Sequence, residues 1–209
     1  MAQPLTVLRA TLEIAAGNAS SVSHFQQAID TSLAEVSRIS EAMGFVQELV
    51  RIARDIPETS AMNLAAVVAT VQEDLKCVLE AADVAIDVDV GDDLPIVSAS
   101  APRVRQCLFY VMQHAVRLCH AGGTIELSAC GLEREVHLVL RKWSSEPPRG
   151  EAPDWERGLW GNVVPRLTLA DALAKCVGGR LEWQTTPFAA CLSLPISQDV
   201  MSRQDVAHV

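Results

Sequence analysis

The stretch GGRLEWQTTPFAACLSLPI, residues 178–196, predicts how the folded part of this chain ends. Two successive glycines favour the end of a helix, because glycine readily adopts the backbone conformation that terminates one. The segments RLEWQTT and AACLSLPI that follow predict two strands joined by a short turn. The segment RLTLADALAKCV, directly before the glycines, carries apolar residues at helical spacing. The sequence therefore predicts a helix followed by a closing β-hairpin.

Three more strands are predicted upstream of this hairpin. The stretch VAIDVDV, residues 84–90, alternates apolar side chains with Asp87 and Asp89, which is typical of a half-buried strand. TIELSAC, residues 124–130, and EVHLVLR, residues 135–141, predict two further strands. Residues 144–163 hold three prolines and three glycines without periodicity, so they predict a loop.

Two helices are predicted between these strands and the N-terminal part of the chain. Asn63 precedes an apolar helical pattern and is a suitable N-cap, because its side-chain oxygen can accept a hydrogen bond from the first turn. Pro102 suits the first turn of a helix that runs to about Cys119. The predicted order is thus helix, strand, helix, two strands, loop, helix and hairpin, which indicates an α+β sandwich.

The first 55 residues predict two helices, over 4–16 and over about 23–54. The second helix carries apolar residues at two heptad positions, with Ser32 as the polar exception: Ile29, Val36, Met43 and Val50, and Phe25, Ile39, Val46 and Ala53. Such a repeat predicts a seam like that of a coiled coil. A single helical hairpin cannot cover so wide an apolar face, so we expect two chains to form a four-helix bundle as a homodimer.

Composition excludes several classes of partner. The chain has 209 residues and a formal net charge of −9, and its longest basic cluster is Arg141-Lys142. Nucleic acids and anionic membranes are bound by clustered cations, so we expect neither as a partner. The sequence shows no apolar run of the ~20 residues that a membrane span needs and no signal-peptide pattern, which predicts a cytoplasmic protein. Six cysteines without a Cys-x-x-Cys pair predict buried, reduced thiols and no metal site.

Over residues 2–196 the chain resembles the sensor histidine kinases. The resemblance is carried by the order of elements, the Pro4-Leu5-Thr6 opening of the first helix, and the closing GGRLEW…LSLPI. It implies that residues 1–57 are a hairpin similar to the dimerisation and phosphotransfer domain. It also implies that residues 60–196 are a degenerate ATP-binding domain of the GHKL (Bergerat) type, with residues 197–209 as a tail.

The resemblance also implies that the phosphoacceptor histidine is missing. In these kinases it lies five residues before the proline of a His-Glu-x-x-x-Pro-Leu segment, so the matching position would precede Met1. If Met1 is the true start, the nucleophile on which phosphotransfer depends is absent. His24, which begins the second helix, is a weak replacement candidate.

The positions that match the kinase ATP site carry unsuitable side chains. In the N box, whose asparagine binds Mg²⁺, the chain has His114, with Tyr110 one turn earlier. At the Asp-x-Gly-x-Gly box, whose aspartate accepts a hydrogen bond from adenine, the matching positions carry Lys142, Ser144 and Glu146. A lysine side chain has no acceptor, and Mg²⁺ prefers oxygen ligands.

A third box is changed as well. Val164 and Arg166 occupy the positions of glycines that cradle phosphates with their backbone. The resemblance therefore predicts a chain without catalytic residues, cofactor or metal.

These residues lead to one main functional interpretation and two alternatives. The chain is interpreted as a pseudokinase that binds a two-component partner, either a response-regulator receiver domain or a histidine kinase, as a scaffold or regulator. One alternative is a histidine phosphotransferase of a phosphorelay, with its acceptor at His24 or upstream of Met1. The other is a ligand sensor that uses the remodelled nucleotide pocket. Trp143, Trp155 and Trp160 lie in or beside the predicted loop and either fill that pocket or bind a partner.

Overall fold

The computed structural model describes residues 2–17, 22–91, 93–132, 134–143, 164–185 and 187–197. The chain divides into two compact units, of which the first contains the helical region as far as Arg51 and the second begins at Ile52. The predicted loop over 144–163, with Trp155 and Trp160, and the tail beyond residue 197 lie outside the described residues. None of the described helices combines the length and hydropathy that a membrane span requires.

The first unit consists of the two predicted helices, α1 (Ala2–Gly17) and α2 (Val22–Arg54, whose last residues belong to the second unit). On α2, Ala42 is buried, whereas six apolar seam residues are between 42% and 54% exposed: Phe25, Ile29, Val36, Met43, Val46 and Val50. A single chain therefore leaves a stripe of large apolar side chains in contact with water.

The second unit contains a five-stranded mixed sheet in the order β2-β4-β5-β7-β6. The strands are β2 (Val84–Asp89), β4 (Gly123–Gly131), β5 (Glu135–Trp143), β6 (Arg180–Thr185) and β7 (Phe188–Pro195). All five were predicted from sequence. β2 and β4 pair in parallel and the other neighbours pair antiparallel. A small antiparallel sheet of β1 (Ser60–Met62) and β3 (Val97–Ala99) was not predicted.

Three helices cover one face of the sheet: α3 (Leu64–Ala82), α4 (Ala101–Leu118) and α5 (Pro165–Cys176). The predicted cap of α3 is confirmed, since Asn63 Oδ1 accepts a hydrogen bond of 3.2 Å from the Ala66 amide. Between helices and sheet lies an apolar core that includes Val71, Leu75, Met112, Leu138 and Leu173. The predicted α+β class, an N-terminal helical region followed by a mixed α/β sheet domain, is confirmed.

The cysteines only partly follow the prediction. All six are free thiols, and Cys107 is buried, with its Sγ 3.2 Å from the Ala170 carbonyl oxygen. Burial raises the pKa of the Cys107 thiol to about 12, so this thiol is not ionised near neutral pH. Cys77 and Cys130 are exposed, so the prediction of buried thiols is wrong for these two. Cys77 lies on the solvent side of α3, and Cys130 lies near the end of β4.

Candidate functional site

The candidate site is built on the polar face of α4. Five side chains recur at spacings of three and four residues and therefore lie along one side of the helix: Gln106, Tyr110, Gln113, His114 and Arg117. The opposite side of α4 is apolar and packs into the core. Part of this face lies next to α5, because Gln113 accepts a hydrogen bond from Arg166 of that helix.

His114 lies in the middle of this face and contacts an aromatic ring. Its imidazole meets Phe188, the first residue of β7, edge to face at 5.3 Å between ring centroids. Burial, together with the smaller effect of the nearby positive charges of Arg117 and Arg166, lowers the pKa of His114 to about 4. The imidazole is therefore neutral near pH 7. Among the described residues, no group of three or more His, Cys, Asp or Glu side chains is placed to hold a metal ion.

Lys142 forms a hydrogen bond with the last residue of α4. It lies on β5, and its Nζ donates a hydrogen bond of 2.5 Å to the Leu118 carbonyl oxygen. The last carbonyl groups of a helix have no partner within the helix and carry its partial negative charge. The ammonium group therefore satisfies one of these carbonyls and balances its charge. It also lies close enough to Cys119 to oppose the rise in pKa that burial imposes on that thiol.

Arg166 joins the two helices. It follows Val164, the extended N-cap residue of α5, by two positions, so it lies in the first turn of that helix. Its Nε donates a hydrogen bond of 3.3 Å to Gln113 Oε1 on α4. The guanidinium group and the Gln113 amide together connect α5 to the polar face of α4.

The structure brings some of the candidate residues together and leaves others apart. Arg166 on α5 lies close enough to His114 on α4 to affect its pKa, and Lys142 lies at the C-terminal end of α4. Tyr110 lies one turn before His114, and its hydroxyl oxygen is 3.4 Å from Gln106 Nε2. His24 is an exposed residue of α2 in the first unit. Ser144 and the side chain of Trp143 lie outside the description.

Four further residues of the site were not singled out from sequence: Gln106, Gln113, Arg117 and Phe188. Gln113 and Arg117 follow Tyr110 at helical spacing, which is a signal that could have identified them. Phe188 belongs to a distant segment, and no local pattern pairs it with His114.

Comparisons with known proteins identify the fold. Neither a protein-family model nor a curated protein sequence matches the chain. Among solved structures it is similar to the histidine kinase AdeS of Acinetobacter baumannii, with a TM-score of 0.58 and 18% identity over 93% of this chain and 94% of that one. It is also similar to the histidine kinase ThkA in complex with the response regulator TrrA, with a TM-score of 0.63 and 14% identity over 94% of this chain and 58% of that one.

A third similar structure is the cytoplasmic segment of the histidine kinase QseC, with a TM-score of 0.53 and 14% identity over 76% of this chain and 95% of that one. Identities this low show the fold and nothing finer. The chain thus has the fold of a histidine-kinase catalytic core, as the sequence resemblance predicted.

Proposed function

We propose that this chain is a catalytically degenerate histidine-kinase-like signalling protein that binds a two-component partner as a scaffold or regulator. One observation carries the proposal: Lys142 occupies the position matched to the adenine-binding aspartate, and its ammonium group is hydrogen bonded to the Leu118 carbonyl oxygen. An ammonium group only donates hydrogen bonds, so it cannot accept one from the adenine amino group.

The positions matched to the metal and phosphate contacts support the same proposal. His114 packs against Phe188 and is neutral near pH 7, and a neutral imidazole is a poor ligand for Mg²⁺. Arg166, matched to a glycine, directs its guanidinium toward Gln113. A side chain at this position takes space that the glycine backbone would leave to a phosphate. We therefore propose that the chain uses no nucleotide cofactor.

Calorimetric titration with ATP and Mg²⁺ tests this part of the proposal. We expect no measurable heat of binding. ShkA is the positive control under the same conditions, because it was solved in complex with AMPPNP, an ATP analogue. A dissociation constant between micromolar and about millimolar, roughly −8 to −4 kcal/mol, would contradict it. The double variant Lys142→Asp/His114→Asn shows whether the two side chains alone prevent binding.

A receiver domain is the proposed partner because ThkA, a structural neighbour, was solved in complex with a response regulator. The exposed apolar stripe on α2 supports the further proposal that the chain is a homodimer, with residues 1–57 as the dimerisation domain and 60–196 as the kinase-like domain. We also propose a cytoplasmic location, where receiver domains would be accessible.

A phosphotransfer experiment separates binding from chemistry. The chain is mixed with a receiver domain that carries a labelled phosphoryl group, and complex formation and label transfer are followed in parallel. We expect a complex without transfer, since docking needs shape and a few apolar anchors and does not need the nucleophile.

Two outcomes would change the assignment. His24 is exposed on α2, so label that appears on the chain and is lost in His24→Ala, but not in His120→Ala, would identify a phosphotransferase instead. If no receiver domain binds but a histidine kinase does, the kinase is the partner.

A further inference from the structure

Strand β2 forms one edge of the five-stranded sheet. It pairs with β4 on one side, and no other strand among the described residues pairs with it on the other side. Alternate residues of an edge strand direct their N–H and C=O groups outward, where another extended chain can pair with them. The six residues Val84–Asp89 therefore present an open row of backbone donors and acceptors.

Acidic side chains lie on both sides of this edge strand. On the helix side, a groove of about 560 Å³ between β2 and α3 is lined by Glu73, Glu80 and Asp83, with Lys76 as its one basic residue. On the outer face of the sheet, a second cavity of about 200 Å³ is lined by three more carboxylates and one cation: Asp87, Asp89, Glu126 and Arg141.

These six carboxylates differ from five other acidic groups of the second unit, which form ion pairs. None of the six has an ion-pair partner within the described part of the chain. Five other carboxylates of the unit each pair with a cationic or titratable side chain at 2.7–3.2 Å: Asp55, Asp74, Glu135, Asp171 and Glu182. Unpaired like charges that lie close together repel one another, and an added cation relieves this repulsion.

We propose that the edge of β2, together with α3, binds an extended lysine- or arginine-rich segment of a partner protein, which adds to the sheet as a new strand. Successive side chains of a strand point to opposite faces. Basic side chains on one face would therefore reach Glu73, Glu80 and Asp83, and those on the other would reach Asp87 and Asp89. Backbone hydrogen bonds supply affinity in this mode of binding, and side chains supply selectivity.

Charged side chains on an edge strand can also have a protective role, and the experiment must distinguish that role from binding of a basic segment. Charged side chains on an edge strand also prevent pairing with a second copy of the same chain. That role requires no basic partner and predicts no strand addition by a basic peptide.

The probe is a fluorescein-labelled synthetic peptide of about ten residues in which pairs of lysines alternate with pairs of valines, so that lysines lie on both faces of the added strand. It is titrated with the full chain and followed by anisotropy. We expect saturable binding of this peptide and none of the matching glutamate–valine peptide. Only alternate amides of an added strand face β2. Backbone N-methylation of one alternate set of amides should therefore abolish binding, and methylation of the other set should not.

Matched variants locate the site. Glu73→Gln/Glu80→Gln and Asp87→Asn/Asp89→Asn should each weaken binding by about fivefold, since exposed ion pairs contribute modestly. Asp171→Asn/Glu182→Gln removes the same charge elsewhere and should leave binding unchanged. The proposal is overturned if the basic peptide does not bind, if both N-methylated peptides bind equally well, or if the control variant weakens binding as much as the other two.

Discussion

His114 should make the folded protein lose stability in mild acid. Its folded-state pKa is about 4, against an ordinary value of 6.5, chiefly because burial disfavours the charged imidazole. Between these two values the unfolded chain binds a proton that the folded chain does not. Protonation therefore favours unfolding, and the free energy of unfolding begins to fall as the pH drops through 6.5 and stops falling on this account near pH 4.

The size of the effect follows from the separation of the two pKa values. One pKa unit corresponds to about 1.4 kcal/mol, so the complete loss below pH 4 is about 3 kcal/mol. At pH 5 the unfolded state is almost fully protonated at this residue and the folded state is hardly protonated, which gives about 2 kcal/mol. A loss of this size is a large fraction of the stability of an ordinary domain.

Urea unfolding at pH 7.5 and pH 5.0 measures this loss. Wild type should lose about 2 kcal/mol more between the two pH values than His114→Gln, which has no titrating group at this position. The comparison is made within each variant, so any loss of packing against Phe188 cancels. His120→Gln is the matched control and should keep the pH dependence of wild type. Equal losses in wild type and His114→Gln would refute the reasoning.

Three other predictions concern the fold. Met43→Glu/Val46→Glu places charges on the exposed apolar stripe of α2 and should convert a dimer into monomers in sedimentation experiments, and a wild type that is already monomeric at micromolar concentration would contradict the bundle. Lys142→Met removes a charged hydrogen bond to the Leu118 carbonyl and should cost about 1–2 kcal/mol in urea unfolding, whereas an unchanged midpoint would show that this bond contributes nothing. Gly179→Ala would place a Cβ atom 2.5 Å from a backbone oxygen of β7, so the thermal midpoint should drop by several degrees, and no drop would contradict the close approach.

The sequence predicted the long regular elements of the fold because each carries its own periodic signal. Val84–Asp89 alternates apolar and acidic residues, and α4 has a proline in its first turn and an apolar stripe. The strands Ser60–Met62 and Val97–Ala99 span three residues each, which is too short for a period to be recognised. They are stabilised by pairing with each other across the 34 residues that lie between them, a contact that no local pattern predicts.

The sequence singled out residues of the candidate site but did not predict which groups they contact. The resemblance matched Tyr110, His114, Lys142 and Arg166 to positions of the kinase ATP site, and the structure places Arg166 of α5 near His114 of α4. The hydrogen-bond partners of these side chains could not be inferred from sequence, because they are distant along the chain. Leu118 lies 24 residues from Lys142, and Gln113 lies 53 residues from Arg166.

These partners show what the two side chains contribute to the domain. A kinase pocket needs groups that remain available to a nucleotide, whereas here Lys142 satisfies a carbonyl at the end of α4 and Arg166 joins α5 to α4 through Gln113. Each of these side chains completes a contact within the domain that a small or acidic residue could not make. Under the proposed function, the positions matched to the kinase ligand site stabilise the domain itself and leave its outer surfaces to bind a partner.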